Sequence, residues 1–249
     1  MNPLIPDWPA SARVRSASST RQGGVSQPPF GSLNLALHVG DRVTDVMRNR
    51  QRLVEKLALP GEPHWLNQVH GVTVVDLDDA PGELPDADAS TTCAANTVCA
   101  VLTADCLPVL FCDCAGTQVA AVHAGWRGLA AGILEAAVAA FAAPPEEILA
   151  WLGPAIGPQA FEVGDEVRHA FCDVDPAAAE AFTAARPGHW RADLYHLARQ
   201  RLARVDVDGV YGAGRCTFSE PDDFYSFRRD NNTGRMASII WLEAGAGKG

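Results

Sequence analysis

Short apolar runs along the chain predict a set of buried strands. Residues 98–103, 107–111, 119–122 and 148–152 are almost wholly apolar and contain β-branched side chains, which is typical of strands buried on both faces. Residues 236–242 form a further run of the same kind near the carboxyl end. The pattern therefore predicts a core built on sheets.

Helical spacing of apolar residues appears in the intervening segments. Residues 43–58 repeat apolar side chains every three or four positions until Pro60 ends the pattern, which predicts an amphipathic helix. Residues 129–142 are alanine-rich and apolar nearly all round, which predicts a well-buried helix. Residues 160–205 are predicted to be largely helical, whereas residues 16–42 form a turn-rich, irregular segment.

The order of these elements favours an α+β fold. Strands and helices mix without the strict alternation of a doubly wound sheet, so the preferred architecture is a layered sandwich with mixed sheets. The chain has no internal repeat or low-complexity linker, and 249 residues suffice for one large core. We therefore expect residues 1–249 to form a single domain.

Composition and charge argue against several classes of protein. A formal net charge of −10 disfavours a general affinity for nucleic acid or anionic membranes, although a local cluster of arginines could still bind a small anion. The first residues do not resemble a signal peptide, and no apolar run reaches the roughly 20 residues of a membrane span. We therefore expect a cytoplasmic protein. Seven cysteines, an odd number without a secretory signal, favour free thiols or metal ligation over disulfides.

Three residues in dense motifs carry the most information about chemistry. Two imidazoles and one thiolate, from His70, Cys106 and His123, would give a divalent metal three ligands and leave a fourth position open, as in catalytic zinc sites. Their separations of 36 and 17 residues match no local metal-binding consensus. Their placement is more informative, because each lies at the end of a strand-like run; His70, for example, lies between predicted strands at residues 65–69 and 72–77. The motifs are Asn67-Gln68-Val69-His70-Gly71, Ala104-Asp105-Cys106-Leu107-Pro108 and His123-Ala124-Gly125-Trp126-Arg127-Gly128.

The turn after His123 also offers a side chain that can bind an anion. Gly125 and Gly128 would let the backbone approach a ligand closely. Arg127 would bind a phosphate or carboxylate through two hydrogen bonds. The alternative is that Arg127 is a solvated surface charge and Trp126 a core residue.

Together the motifs resemble the YfiH-like family, also called the laccase-domain, purine nucleoside phosphorylase or peptidoglycan-editing-factor family. The resemblance implies an αββα layered domain, distantly similar to the cytotoxic-necrotizing-factor deamidases, with a zinc ion bound by His70, Cys106 and His123. It also implies phosphorolysis of adenosine, inosine and methylthioadenosine, and deamination of adenosine. Further matches run nearly from end to end and include Thr20-Arg21-Gln22-Gly23-Gly24-Val25-Ser26, His38-Val39-Gly40-Asp41, Ala87-Asp88-Ala89, Gly153-Pro154-Ala155-Ile156-Gly157-Pro158, Phe161-Glu162-Val163-Gly164 and Phe227-Arg228-Arg229-Asp230.

The implied activities on a purine nucleoside and phosphate need further side chains. Phosphorolysis needs phosphate held beneath the ribose, and Arg21, Arg127 and Arg229 are the predicted anion-binding residues, with solvated surface arginines as the alternative. The usual zinc deaminases rely on His-x-Glu and Pro-Cys-x-x-Cys motifs, and neither occurs in this sequence. Asp105 or Glu162 would then serve as general acid or base, and Glu162 is also a candidate for substrate binding.

Other functions stay open at this point. Cys106 activated by His123 would be the nucleophile of an amide hydrolase that edits peptidoglycan precursors. A set of two histidines and one cysteine also resembles a blue-copper site. Seven histidines without a His-x-His pair argue against a four-copper polyphenol oxidase, which leaves copper binding in vitro with slow phenol oxidation. A non-enzymatic zinc module would need a fourth ligand, for which Cys112 and Cys114 are the nearest spare cysteines. The sequence leaves the oligomeric state undecided.

Overall fold

The computed structural model describes residues 2–79 and 86–245. None of the helices in these two segments has both the length and the apolar composition needed to span a bilayer. The strands are β1 (Val14–Ser18), β2 (His64–Trp65), β3 (Val74–Asp76), β4 (Ala89–Thr92), β5 (Val98–Thr103), β6 (Leu107–Asp113), β7 (Val119–Ala124), β8 (Ile148–Leu152), β9 (Glu162–Gly164), β10 (Phe182–Arg186), β11 (His189–Ala192), β12 (Gly209–Gly212) and β13 (Met236–Leu242). The α-helices are α1 (Val43–Leu57), α2 (Trp126–Ala131), α3 (Ile133–Ala139), α4 (Asp165–Cys172), α5 (Leu194–Ala203) and α6 (Phe227–Asp230).

Two mixed sheets form the centre of the fold. The first has four strands in the order β1-β13-β5-β2, with β2 parallel to β5 and the other neighbours antiparallel. The second has six strands in the order β12-β8-β6-β7-β4-β3, with parallel pairs at its two edges and antiparallel pairs between them. Strands β10, β11 and β9 form a third, antiparallel sheet in that order.

The two larger sheets pack face to face, and helices cover their outer faces. Cys99 and Ile240 from the four-stranded sheet meet Leu110 and Trp151 from the six-stranded sheet in one buried cluster. Helix α1 covers the other face of the four-stranded sheet through Leu53. Helices α2, α3, α4 and α5 cover the other face of the six-stranded sheet. The layers are therefore helix, sheet, sheet, helix, which confirms the αββα architecture.

Strand β6 shows why the apolar runs are continuous rather than alternating. Successive side chains of a strand point to opposite faces of its sheet. Leu110 and Cys112 point into the space between the two sheets, whereas Val109 and Phe111 point toward the helices. Because both faces of the strand are covered, every position of β6 is buried.

The structure confirms some predicted elements and corrects others. Strands β5, β8 and β13 have the predicted bounds, α1 ends one residue early, and the two strands predicted beside His70 are shorter, at β2 and β3. The prediction of one helix over residues 129–142 is wrong, because Gly132 has a φ of 101° and divides it into α2 and α3. The prediction that residues 160–205 are largely helical is only partly correct, since helical segments at residues 165–172, 176–181 and 194–203 alternate there with all three strands of the third sheet. Strands β1, β4 and β12 were not predicted.

Candidate metal centre and cleft

Three segments bring His70, Cys106 and His123 together at one edge of the two sheets. His70 lies between β2 and β3, where the chain passes from the four-stranded to the six-stranded sheet. Cys106 lies in the short connection from β5 to β6, which passes between the same sheets. His123 lies one residue before the end of β7 and pairs with Pro108 of β6. Two crossings between the sheets and one strand end therefore supply the three side chains.

The potential ligand atoms of these side chains all lie within 4.8 Å of one another. Cys106 Sγ is 3.9 Å from His70 Nε2, and the rings of His70 and His123 meet edge to face with their centroids 4.8 Å apart. His123 is buried, Cys106 is half-buried and His70 is exposed, so the cluster is open to solvent on one side. Across the two described segments, it is the one group of His, Cys, Asp and Glu side chains arranged to hold a metal ion.

Gly125 leaves space beside this cluster. A Cβ atom at this position would lie 2.9 Å from His70 Cδ2 and 3.1 Å from Cys106 Sγ, both tighter than ordinary van der Waals contact. The backbone of Gly125 has a φ of −62° and a ψ of 155°, which any residue can adopt. The glycine is therefore required for space rather than for conformation.

Two side chains hold the backbone around His70, which itself has a φ of 61°. The amide of Gln68 accepts from the N–H of Leu102 at 2.7 Å and donates to its carbonyl at 2.9 Å, and so continues the pairing of β2 with β5. The carboxylate of Asp88 accepts from the three consecutive N–H groups of residues 69–71 at 3.2, 2.9 and 2.6 Å. The loop is thus fastened to both sheets.

Asp88 also contacts one of the predicted ligands directly. Its Oδ1 lies 2.7 Å from His123 Nδ1, which leaves the Nε2 atom of His123 on the side of Gly125 and Cys106. Burial opposes ionisation of Asp88, but the hydrogen bonds from His123 and from the backbone at residues 70 and 71 hold its pKa below the usual value.

Cys106 and His123 shift each other's protonation. Burial opposes the charged form of each group. The hydrogen bonds of Cys106 with His123 and His70 outweigh burial and lower the pKa of the thiol to about 6. The hydrogen bonds of His123 with Asp88 and Cys106 likewise outweigh burial and raise the pKa of the imidazole. The arrangement favours a thiolate at Cys106, which is the form that binds metals and attacks electrophiles.

The three side chains line a cleft of about 770 Å³ whose walls differ in character from the rest of the surface. Although the chain has a net charge of −10, four arginines face three carboxylates in this cleft. Such a surface suits a ligand that is anionic, aromatic or both. The arginines are Arg127, Arg186, Arg228 and Arg235, the carboxylates Asp105, Glu162 and Glu166, and the aromatic residues Trp126, Phe161 and Phe227.

Two of the other predicted site residues lie in this cleft within reach of solvent. Arg127 is exposed, and its guanidinium carbon lies 4.4 Å from the ring centroid of Trp126. Among the described residues, Arg127 forms no hydrogen bond or ion pair, so its donors face the cleft unengaged. Glu162 is half-buried and forms an ion pair with Arg186 at 2.8 Å.

The structure engages the remaining predicted residues in internal contacts. Asp105 accepts hydrogen bonds from Thr217 Oγ1 and from the N–H of Arg228, both at 2.6 Å. Arg21 and Arg229 donate to main-chain carbonyl groups of neighbouring loops. Within the described residues neither arginine lines the cleft. Substrate binding by Arg21 and Arg229 stays a prediction, for which the structure offers no contact.

Several residues of the site were not singled out from the sequence. Asp88 belongs to a family motif, but nothing in its own position indicates contacts with two ligand-bearing segments. The motif that pointed to Arg229 also contains Phe227 and Arg228, which line the cleft. Arg235 lines it as well. The motif was therefore informative, whereas the choice among its side chains required the structure.

The spare cysteines lie away from the cluster. Cys112 follows Cys106 by six residues along the extended strand β6, which is a separation of roughly 20 Å, and it is buried between the sheets. Cys114 is exposed beyond the end of β6.

Two other histidines, His38 and His189, line the cleft. In residues 2–79 and 86–245 the structure thus provides one three-donor cluster rather than the several metal sites of a four-copper enzyme.

Comparison with known proteins gives two different descriptions. A family described as "Multi-copper polyphenol oxidoreductase laccase" matches residues 15–243. The Escherichia coli (strain K12) protein named purine nucleoside phosphorylase YfiH is 57% identical over 239 residues, which cover 96% of this chain and 98% of that protein. A Pseudomonas aeruginosa protein that also bears the name purine nucleoside phosphorylase is 56% identical over 241 residues, covering 96% and 98%.

Solved structures show the same fold along nearly the whole chain. The crystal structure of a Neisseria meningitidis protein superposes with a TM-score of 0.94 at 54% identity, covering 98% of this chain and 100% of that one. YlmD from Geobacillus stearothermophilus superposes with a TM-score of 0.87 at 34% identity, covering 94% and 93%. The similarity therefore extends over both sheets and the cleft.

Proposed function

This chain belongs to the family described as multi-copper polyphenol oxidoreductase laccase, and within that family we propose that it is a zinc-dependent purine nucleoside phosphorylase. The family assignment agrees with the resemblance of its motifs. The relatives named above as purine nucleoside phosphorylases support the activity. The observation that carries the proposal is the convergence of two imidazoles, one thiolate and an exposed arginine on one cleft.

Zinc suits the donor set of His70, Cys106 and His123. Zinc bonds of about 2.0 Å to nitrogen and about 2.3 Å to sulfur place tetrahedral donors roughly 3.3–3.6 Å apart. The 3.9 Å between Cys106 Sγ and His70 Nε2 is close to this separation. A zinc ion with a fourth position free would supply Lewis acidity or a water of lowered pKa on the cleft side. Copper binding in vitro is the alternative that the family description favours.

In phosphorolysis, the bond between the purine nitrogen and the ribose carbon breaks, and a phosphate oxygen bonds to that carbon. The departing purine retains the electron pair and takes up a proton. Arg127 is the proposed phosphate ligand, which is supported by its position in the cleft lining and by the stacking of its guanidinium on Trp126. The side chain of Phe227 is 52% exposed in the same cleft and offers an apolar surface for the purine ring.

Adenosine deamination is proposed as a second activity of the same cleft. It needs a side chain that carries a proton to the leaving amino group. Glu162 suits this role better than Asp105, because both oxygens of Asp105 already accept hydrogen bonds at 2.6 Å. The carboxylate of Glu162 is paired with the exposed side chain of Arg186, a contact that a substrate can replace.

The experiment that tests the main proposal combines metal analysis with identification of products. Purified protein is expected to contain about one zinc per chain. With inosine, adenosine or methylthioadenosine it should release the free base only when phosphate is present, together with the sugar 1-phosphate. Base release that is independent of phosphate would contradict phosphorolysis. Inosine formed from adenosine would report the deaminase separately.

The competing function is a cysteine amide hydrolase, which the position of the Cys106 thiol beside the imidazoles of His70 and His123 favours. A zinc-bound thiolate should react slowly with iodoacetamide until a chelator removes the metal, whereas a free nucleophile should react at once and form an acyl intermediate. Slow alkylation that accelerates on chelation supports ligation. Fast alkylation of the zinc-loaded protein, or full activity without metal, supports the hydrolase.

A further inference from the structure

We infer that Asp88 is the positioning residue of the metal centre, because one buried carboxylate fixes both the ring of His123 and the loop that carries His70. This inference rests on the metal-binding part of the proposed function. Asp88 is fully buried and immediately precedes β4. It touches none of the positions that a substrate would occupy, because it lies behind the ligands rather than in the lining of the cleft.

One oxygen of the carboxylate serves both ligand-bearing segments. Asp88 Oδ1 lies 2.7 Å from His123 Nδ1 and accepts from the N–H of His70 at 2.9 Å. The bond to Nδ1 keeps a proton on that nitrogen, so in the neutral imidazole, the form that binds a metal, the lone pair lies on Nε2 toward Cys106. The ring orientation and the tautomer of His123 therefore depend on Asp88.

The other oxygen shapes the loop. Asp88 Oδ2 accepts from the N–H groups of Gly71 at 2.6 Å and Val69 at 3.2 Å. Three successive N–H groups thus converge on one carboxylate, in the concave backbone arrangement that binds anions. Because His70 has a φ of 61°, which a residue with a side chain rarely adopts, the loop needs such an anchor.

An amide in place of the carboxylate cannot satisfy both segments. In Asp88→Asn, an amide oxygen turned toward His123 leaves the NH₂ group facing the two N–H groups of Gly71 and Val69, which repels the loop. In the opposite orientation, the NH₂ group donates to Nδ1 of His123 and moves the proton to Nε2, the atom needed by the metal. Either orientation impairs one ligand while changing the side-chain volume little.

The test measures zinc affinity by competition with a chromophoric chelator. Asp88→Asn should bind zinc at least about 100-fold more weakly than the unaltered protein, since each supporting contact alone is worth about 10- to 100-fold. Asp208→Asn is the matched control, because this exposed carboxylate precedes β12, at the edge of the six-stranded sheet away from β4, and does not line the cleft. The control should stay within about twofold. Equal zinc affinities in Asp88→Asn and the unaltered protein overturn the inference.

A second measurement guards against a variant that fails to fold. In the zinc-loaded, unaltered protein, ¹H–¹⁵N NMR should show a slowly exchanging proton on Nδ1 of His123 and metal on Nε2. Metal on Nδ1 instead overturns the inference without any substitution. If the unaltered protein binds no zinc, the proposed function fails together with this inference. If Asp88→Asn and the unaltered protein both bind zinc tightly, the inference about Asp88 fails while the proposed function stands.

Discussion

The two walls of the cleft are built in different ways. The wall that carries the proposed metal ligands consists of the ends of β6 and β7 and the loop at His70, with the fully buried carboxylate of Asp88 behind it. A second wall includes strands β9, β10 and β11, and four of the five residues of β10 are exposed. Its ion pair between Arg186 and Glu162 is solvated, with side-chain exposures of 60% and 38%.

This difference indicates which wall can change its side-chain contacts when a substrate binds. Buried polar groups with complete hydrogen bonding are costly to disturb, because each lost partner leaves a desolvated group unsatisfied. An exposed ion pair contributes only about 0–1 kcal/mol and exchanges partners easily. We therefore expect the wall that carries His70, Cys106 and His123, here called the ordered wall, to determine the chemistry. The wall formed by β9–β11, here called the adaptable wall, should accommodate the substrate.

The largest expected effect is removal of a ligand from the ordered wall. His70→Ala should lose zinc and phosphorolysis together, with zinc affinity falling at least about 100-fold, because a ligand contributes more than the groups that support it. Metal content and turnover of inosine measure the two losses. His169→Ala, on the exposed surface of α4, is the control and should retain both. Activity retained after metal loss would break the link between the wall and the chemistry.

Arg127 lies beside the ordered wall but has exposed donors. Arg127→Ala should raise the KM for phosphate by about 10- to 100-fold, since a hydrogen bond to a charged group is worth about 1.5–3 kcal/mol. Phosphate-independent deamination of adenosine should change much less. Arg48→Ala, on the exposed face of α1, serves as the matched control. Equal losses in both activities would show that Arg127 shapes the site rather than binding phosphate.

Gly125 tests the packing of the ordered wall without removing any polar group. Gly125→Ala would place a methyl group 2.9 Å from His70 Cδ2 and 3.1 Å from Cys106 Sγ. Zinc affinity should fall on the order of tenfold, as for a displaced supporting contact, while the melting temperature of the metal-free protein stays nearly unchanged. The control is Gly61→Ala, where an added Cβ meets nothing within 4 Å. An unchanged zinc affinity would mean that the wall yields more readily than we infer.

The smallest effect is expected on the adaptable wall. Arg186→Ala breaks the exposed pair with Glu162 and should change the free energy of unfolding by less than about 1 kcal/mol. Zinc affinity should not change, whereas KM for the nucleoside should shift by only a few-fold. Denaturant titration and steady-state kinetics provide these values. A large decrease in the free energy of unfolding or in zinc affinity would show that the structure of one wall depends on the other.

The sequence predicted best where burial alone determines structure. Strands β5, β8 and β13 were bounded correctly because covering layers on both faces require an unbroken apolar run. It predicted poorly in residues 160–205, where β10 has one buried residue followed by four exposed ones and so lacks a strand pattern. Gly132 was read as part of a helix because its left-handed φ is set by the two helices that meet there.

The residues of the candidate site also differ in how well the sequence predicts them. His70, Cys106 and His123 stand out in the sequence by residue type, and the structure gathers them into one cluster. Their supporting contacts do not stand out, because Asp88 acts through bonds to residues 17 to 35 positions away. Arginines are equally ambiguous: Arg127 faces the cleft, whereas Arg21 donates to the carbonyl groups of Gly31 and Pro221. The sequence alone does not distinguish an arginine that is exposed in the cleft from one that donates to main-chain carbonyl groups, because the difference depends on tertiary contacts.

The side chain of Gln68 connects the proposed metal centre to one of the two large sheets. By pairing with both main-chain groups of Leu102, it fastens the His70 segment to β5 in one layer of the sandwich. His123 belongs to β7 in the other layer. An ion bound by both imidazoles would add a further link between the two layers, beside the hydrogen bonds that Asp88 already makes to the His70 loop. A displacement of one sheet relative to the other would then change the coordination geometry of the ion.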